Sequence, residues 1–173
     1  DGGSIEKRSN FVQESVEASR SRVTNNFIVG LRFSQWKQHD FDAKLAQTPD
    51  ELEKVIMPPV NAGLDYLHSS MRRFWESEFP ESKENLAYWT KKISDITTIG
   101  VGSVGLDSDF IDMMAPANPT SIDKAIEDIS SNKYELIAVG RALISDPNWV
   151  IKMKEGRFDE LIPYTKESLL TLY

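Results

Sequence analysis

Cysteine is absent from this 173-residue sequence, and histidine occurs only twice, as His39 and His68. Without cysteine the chain cannot form a disulfide framework, an iron–sulfur cluster or a thiolate zinc site. Two histidines argue against a multi-histidine metal site, so we predict no metal. The absence of cysteine also fits a cytoplasmic protein, which is the location we expect.

Positive charge and long apolar runs are scarce as well. The sequence has 20 Lys and Arg against 27 Asp and Glu, which gives a net charge of −7. This balance argues against nucleic acid and anionic membranes as partners. No apolar run approaches the roughly 20 residues of a membrane span, and the N-terminus does not resemble a signal peptide. The 40% hydrophobic content is enough for a core, and we predict a single domain over residues 1–173.

Short apolar runs that suit strands alternate with helical patterns along the chain. The predicted strands cover residues 27–33, 64–68, a segment ending at 100–102, and 134–139. The predicted helices cover 5–22, 48–63, 84–93, 121–131, 148–155 and the tail 165–173. This alternation predicts an α/β fold with a parallel sheet and right-handed crossovers. A dinucleotide-binding fold is the weaker choice, because no Gly-x-Gly-x-x-Gly fingerprint opens the first unit.

Two of the predicted strands end in glycine-containing turns. The first turn is Gly100-Val101-Gly102-Ser103, and the second is Gly140-Arg141. Glycine lets backbone N–H groups approach an anion, and arginine offers a fork of donors that matches phosphate. The pair therefore predicts a phosphate-bearing ligand between the last two strands of a (β/α)8 barrel. The alternative is that the glycines only tighten the turns and that Arg141 pairs with a surface carboxylate.

Four predicted strands are too few to close a barrel. A half barrel exposes two strand edges with unpaired N–H and C=O groups. We therefore expect a further component: another chain, an N-terminal half, or a second copy of this chain.

Four motifs together resemble the C-terminal half of the Old Yellow Enzyme family. They are Gly2-Gly3-Ser4-Ile5-Glu6-Lys7-Arg8, Val29-Gly30-Leu31-Arg32-Phe33-Ser34, Gly100-Val101-Gly102-Ser103, and the segment from Val139 to Trp149. Members of this family are FMN-dependent ene-reductases, also called NADH:flavin oxidoreductases. The resemblance covers essentially the whole chain and implies a (β/α)8 TIM barrel, of which these are strands five to eight. One departure is Asp1, where the family usually has an aromatic residue.

The resemblance also implies a set of FMN-binding residues. Arg32 matches an arginine beside the flavin pyrimidine, where it stabilises negative charge on the reduced cofactor. Gly102, Ser103, Gly140 and Arg141 match the phosphate site, with Val101 and Val139 touching the cofactor beside them. For Arg32 the alternative is an ion pair with a neighbouring helix. Because burying an arginine in an otherwise apolar strand is unfavourable unless it is paired, we favour the functional reading.

The loop after the second strand contains aromatic and basic residues. In the resembling family this loop overhangs the flavin, so Phe74 and Trp75 are candidate substrate contacts. Arg72 or Arg73 is a candidate for an anionic group such as the phosphates of a nicotinamide donor. The alternative is that the aromatic side chains pack the loop onto the barrel, and the same two readings apply to Trp36. We expect His39 to be solvated, and for His68 a packing role competes with a place on the active-site face.

The resemblance implies hydride transfer from NAD(P)H through FMN to the C=C bond of an activated alkene. The family's His/Asn or His/His pair and its proton-donating Tyr lie N-terminal to the resembling segment, so this chain offers no catalytic residue for them. We expect the chain alone to be inactive. One alternative is a non-catalytic half-barrel module that dimerises or complements a partner half. Another is a phosphate-binding isomerase or aldolase, which the lack of a Lys or Glu at a strand end weakens.

Overall fold

The computed structural model describes residues 3–109 and 115–170. Its strands are β1 (Gly30–Phe33), β2 (Tyr66–Ser70), β3 (Thr97–Val101) and β4 (Leu136–Ile137). Its helices are α1 (Asn10–Arg20), α2 (Pro49–Asn61), α3 (Leu86–Ser94), α4 (Asp123–Ser130), α5 (Arg141–Ser145) and α6 (Trp149–Glu155). Three short 3-10 helices cover Ile5–Ser9, Phe158–Glu160 and Lys166–Leu169.

The four strands form one parallel sheet in the order β1-β2-β3-β4. Gly30 pairs with Tyr66, and Tyr66 pairs with Thr97. At the other end of the sheet, Ile99 pairs with Leu136. A helix follows each strand, so the predicted α/β alternation and parallel sheet are confirmed.

Predicted helix boundaries rest on recognisable capping residues. Thr48 precedes α2, and its Oγ1 accepts a hydrogen bond of 3.2 Å from the backbone N–H of Glu51. Pro49 occupies the first helical position, where a missing N–H is harmless. Gly156 ends α6 with φ of 72°, the left-handed conformation that glycine adopts freely. These predicted signals are confirmed.

The helices cover one face of the sheet. Leu67 and Ser69 point to this side: Leu67 is fully buried, and the Ser69 hydroxyl donates to Thr90 Oγ1 of α3 at 2.9 Å. The opposite face bears Arg32, Tyr66 and His68, and the adjacent strands place Ile99 and Leu136 on it. Leu136 is 52% exposed there. The core therefore lies between the sheet and its helices, and the second face remains open within the described residues.

Several predicted boundaries were wrong, each for a tertiary reason. The first strand begins at Gly30 rather than residue 27, because Phe27 and Ile28 are 57% and 69% exposed. Within the strand, exposed and half-buried residues alternate from Gly30 to Phe33. The fourth strand shrinks to Leu136–Ile137, because only these two residues pair with β3; Tyr134, two residues earlier, is buried in the core.

Other differences concern strand ends and helix type. The second strand continues to Ser70, because Ser69 and Ser70 pair with β3, so His68 does not end it. Residues 5–9 and 166–169 form 3-10 rather than α-helix. Outside the described residues lie 1–2, 110–114 and 171–173. The departure at Asp1 and the end of the predicted tail helix fall among them. Within the described parts of the chain no helix is long and apolar enough to cross a membrane.

Candidate functional site

The loops after all four strands meet at one edge of the sheet, because the carboxyl ends of parallel strands lie together. A cavity of about 250 Å³ opens there, and we call it the loop cavity. Its lining residues are Arg32, Ser70, Met71, Val101, Gly102, Ser103, Val104, Leu106, Gly140 and Arg141. Six of the seven residues predicted for a cofactor therefore surround one space. Val139 is half-buried beside it and packs against both hydrophobic clusters of the core.

The turn after β3 is bound tightly to the loop after β2. The Phe74 N–H donates to the Gly102 carbonyl at 3.1 Å, and the Ser103 hydroxyl donates to the Arg72 carbonyl at 3.0 Å. A Cβ atom on Gly102 would lie 2.8 Å from the Met71 carbonyl oxygen. Ser103 has φ of 52°, a left-handed conformation that is uncommon for a residue other than glycine. Gly102 is thus required for close backbone packing.

Gly140 has different surroundings. A Cβ atom built on Gly140 would have no heavy atom within 4 Å among the described residues. Gly102 therefore fits the turn-tightening explanation, whereas Gly140 leaves open space at the mouth of the loop cavity.

Arg141 is fixed by groups of this chain other than carboxylates. Its Nη2 donates to the Ser108 carbonyl, and its Cζ lies 5.1 Å from the centroid of the Tyr164 ring. Its Nη1 is buried and has no hydrogen-bond partner within residues 3–109 and 115–170. Burial lowers the pKa of the guanidinium from its ordinary value, an effect that Tyr164 and nearby acidic groups partly oppose. The expected alternative, an ion pair with a surface carboxylate, does not occur within those residues.

Arg32 lies on the open face of the sheet. Its Nη2 donates to the Ser70 hydroxyl at 3.0 Å, and no carboxylate of the described chain forms an ion pair with it. The alternative of an ion pair with a neighbouring helix is therefore wrong for these residues. Arg32 and Ser70 also line an adjoining cavity of about 390 Å³, together with Ser34, Trp36 and Gln38.

His68 is the neighbour of Arg32 on β2. The two residues are paired in the strand register. His68 is half-buried, and its Nε2 is buried without a hydrogen-bond partner in the described chain. Burial lowers the pKa of His68, and the nearby Arg32 charge lowers it further. Both effects favour the uncharged imidazole over the imidazolium. His39, in contrast, is exposed.

The two arginines after β2 are already engaged. Arg72 Nη2 and Arg73 Nη2 lie 3.0 and 3.1 Å from the Asp109 carboxylate, which is 9% exposed. Arg73 also pairs with Glu76 at 2.7 Å, and Arg72 lies over the Phe41 ring at 5.4 Å. The loops after β1, β2 and β3 are thereby connected through charged contacts.

Phe74 and Trp75, the candidate substrate contacts, line neither of these two cavities. Phe74 is 2% exposed and belongs to the core. Trp75 is 39% exposed and meets the Phe74 ring edge-on at 5.3 Å. This is the packing arrangement that we considered as the alternative, and a substrate contact for either residue stays a prediction. Trp36 lines the adjoining cavity.

Sequence reasoning did not single out Ser70 or Tyr164. Ser70 lies two residues after His68, so the alternation of side chains along a strand was a usable signal. Tyr164 lies 23 positions after Arg141 in an irregular segment, and no local pattern indicates their contact. Among the described residues no group of His, Asp and Glu side chains is arranged to hold a metal ion.

Comparison with known proteins agrees with these features. The family model for the NADH:flavin oxidoreductase / NADH oxidase family matches residues 1–160. The NADH oxidase of Thermoanaerobacter brockii is 29% identical over 168 residues, which are 92% of this chain and 23% of that protein. The probable NADH-dependent flavin oxidoreductase YqiG of Bacillus subtilis is 29% identical over 160 residues, covering 90% of this chain and 39% of that protein.

Solved structures share the fold. Morphinone reductase in complex with tetrahydroNAD has a TM-score of 0.61 at 20% identity, covering 90% of this chain and 36% of its own. TcOYE with pHBA has a TM-score of 0.61 at 18% identity, with the same coverage. The chain therefore spans about a quarter to two fifths of the relatives named here. The match to residues 1–160 shows that this chain belongs to the NADH:flavin oxidoreductase / NADH oxidase family, the Old Yellow Enzyme family.

Proposed function

We propose that this chain is strands five to eight of a (β/α)8 barrel and forms the phosphate and pyrimidine side of an FMN site in an ene-reductase. The observation that carries the proposal is the convergence of Arg32 and Arg141 on one cavity with Gly102, Ser103 and Gly140. Residues 1–173 would then be a single domain within a larger enzyme.

The lining residues fit a flavin phosphate at one end of the loop cavity. Among the described residues nothing accepts a hydrogen bond from Arg141 Nη1, and unsatisfied buried donors are rare unless a ligand or water completes them. The space beside Gly140 leaves room for an anion to approach the backbone. A phosphate that accepts from guanidinium and backbone N–H groups is well matched to these donors.

The other end of the cavity suits the flavin ring. Arg32 has a neutral hydroxyl as partner, so its positive charge is not neutralised within the described chain. In this proposal Arg32 stabilises negative charge at the pyrimidine edge, while Val101 and Val139 border the cofactor. FMN, when bound, would take hydride from a nicotinamide donor and deliver it to the alkene.

The nicotinamide donor and the alkene substrate are inferred from relatives. Morphinone reductase was solved with tetrahydroNAD, a nicotinamide compound. A further relative is the cinnamate reductase of Clostridium sporogenes, 26% identical over 183 residues, which are 94% of this chain and 25% of that protein. Both names favour reduction of activated C=C bonds with NADH or NADPH as donor. Trp75, which is exposed in the loop after β2, is the side chain that we would test first as a substrate contact, with Phe74 supporting it from the core.

We further propose that an N-terminal half barrel completes the site. The open face of the sheet bears Arg32 and His68, whose buried Nε2 lacks a partner in the described chain. Side chains from four further strands would fill a barrel interior and cover this face. Because the expected catalytic acid and carbonyl anchor belong to that half, the chain alone should not reduce alkenes. Self-association of two copies is the competing possibility, and the exposed Leu136 on the same face favours it.

Reconstitution tests this proposal. The purified chain would be mixed with FMN, alone and with an N-terminal half taken from a relative, and followed by flavin absorbance and by mass in solution. We expect a bound-flavin spectrum and NADH-dependent reduction of a small enone only in the two-part mixture. Arg141→Ala should weaken FMN binding, whereas Lys154→Ala, at the exposed end of α6, is the matched control.

Other outcomes discriminate between the alternatives. A dimer that binds no FMN in either mixture would favour the non-catalytic half-barrel module. Tight FMN binding and enone reduction by the chain alone would refute the need for a second half.

A further inference from the structure

We infer that Tyr164 is a positioning residue for Arg141 and thereby for the cofactor phosphate. This inference rests on the proposed FMN site. Tyr164 lies beyond residue 160, where the family match ends. The C-terminal segment is therefore assigned a part in ligand binding that the family match does not include.

Tyr164 is held rigidly. Its side chain is fully buried in a small hydrophobic cluster with Leu106, Ala142 and Trp149. Its backbone forms an antiparallel bridge with Ala117, with N–H···O distances of 2.9 and 2.8 Å. A buried ring with two backbone bonds on its own residue has little freedom to rotate or shift.

The ring lies against the guanidinium of Arg141. The distance from Arg141 Cζ to the ring centroid is 5.1 Å, within the range of a cation–π contact. The backbone carbonyl of Ser108 accepts a hydrogen bond from Nη2 of the same guanidinium. Two contacts of different kinds therefore fix one orientation of Arg141, and they leave Nη1 without a protein partner among the described residues.

A positioned arginine binds phosphate better than a mobile one, because fewer rotamers are lost on binding. Loss of the aromatic face should therefore weaken FMN, which has a phosphate, and spare riboflavin, which has none. A merely structural role of Tyr164 would weaken both ligands equally. The ratio of the two dissociation constants is the readout that separates these cases.

The experiment measures dissociation constants of FMN and riboflavin for the flavin-binding form of the protein, with the N-terminal half added where reconstitution requires it. Tyr164→Leu should weaken FMN by about tenfold, the order expected from a buried cation–π contact, and change riboflavin less than about twofold. Tyr164→Phe keeps the ring and should stay within about twofold of the unsubstituted chain for both ligands. Arg141→Ala is the reference variant and should lower the preference for FMN at least as strongly.

Two results would overturn the inference. Equal weakening of both ligands in Tyr164→Leu would show a structural role. Unchanged binding of both ligands in that variant, beside a lowered preference for FMN in Arg141→Ala, would show that Tyr164 does not act through Arg141. An unchanged ratio in Arg141→Ala itself would instead refute the proposed phosphate site. If Tyr164→Leu does not fold, Tyr164→Phe is compared with Tyr164→pentafluorophenylalanine, which keeps the ring shape but reverses its electrostatic face. Weaker FMN binding in the fluorinated variant supports the inference, and equal binding overturns it.

Discussion

Substitution of Gly102 by alanine should destabilise the protein, because the new methyl group would meet backbone rather than side chain. The added Cβ would lie 2.8 Å from the Met71 carbonyl oxygen and 3.0 Å from the Phe74 nitrogen. The loop after β2 would have to move by several tenths of an ångström, and overpacking of this kind costs about 1–3 kcal/mol. The movement also weakens the bond from the Phe74 N–H to the Gly102 carbonyl, a further contribution of about 1 kcal/mol.

Alanine also lowers the conformational entropy of the unfolded chain relative to glycine, which offsets about 0.5–1 kcal/mol of this loss. The free energy of unfolding should therefore fall by roughly 1–3.5 kcal/mol, which lowers Tm by about 2–14 °C for a chain of this size. Urea unfolding followed by far-UV circular dichroism measures the change directly.

Gly156→Ala is the matched control for this prediction. Gly156 has φ of 72°, but no heavy atom of the described chain lies within 4 Å of its built Cβ. Alanine there carries only the left-handed backbone penalty of roughly 1–2 kcal/mol. Our reasoning is refuted if Gly102→Ala loses less stability than Gly156→Ala, because close approach of the two loops would then not be the reason for glycine.

Three further predictions concern charged groups. Arg32→Ala in the flavin-loaded protein should lower the two-electron reduction potential of the flavin by roughly 20–60 mV, and Ser70→Ala should lower it by less. Dye equilibration measures both potentials, and no shift in either variant would contradict the proposed position of Arg32 beside the flavin ring. Burial raises the pKa of Glu78 above its ordinary 4.5, with Lys44 only partly opposing it. The folded state therefore binds this proton more readily, and stability relative to Glu78→Gln should fall as pH rises above about 4.5; parallel pH curves from urea unfolding would argue against this. Asp128→Ala should lower the free energy of unfolding by about 1–3 kcal/mol, because it removes a fully buried carboxylate that accepts from the buried Tyr134 hydroxyl and pairs with the partly exposed Lys124 and Lys133; a loss below the level of a surface substitution would exclude that role.

The convergence of the predicted site residues followed from topology. Once alternating strands and helices indicated a parallel sheet, the carboxyl ends of all strands had to share an edge. Arg32 lies one residue before the end of β1, and Gly102 and Gly140 follow β3 and β4. These positions were therefore expected to meet, and they line one cavity. Helix starts were equally accessible, since Thr48 and Pro49 act within a single turn.

The contacts that support the site were not accessible in the same way. The fourth strand is shorter than its apolar run because only Leu136 and Ile137 pair with β3, and this pairing depends on residues distant in sequence. The burial of Phe74 and the pairing of Arg72 with Asp109 likewise depend on how two loops pack. The contact of Tyr164 with Arg141 requires a segment with no secondary-structure signal to return to the sheet edge. Local propensity carries no information on such long-range arrangements.

The two arginines of the loop cavity differ in what holds them, and this difference implies an order of assembly. Arg141 is fixed by Ser108 and Tyr164, so the phosphate end is preorganised by this chain. Within residues 3–109 and 115–170 the Arg32 side chain has a single hydrogen bond, to Ser70, and Arg32 lies on the face that these residues leave open. A ligand that contacts only the Arg141 end of the loop cavity should therefore depend less on a second half barrel than a ligand that contacts both the Arg141 and the Arg32 ends. The phosphate would then bind before the open face is covered, and the flavin ring would bind only after it is covered.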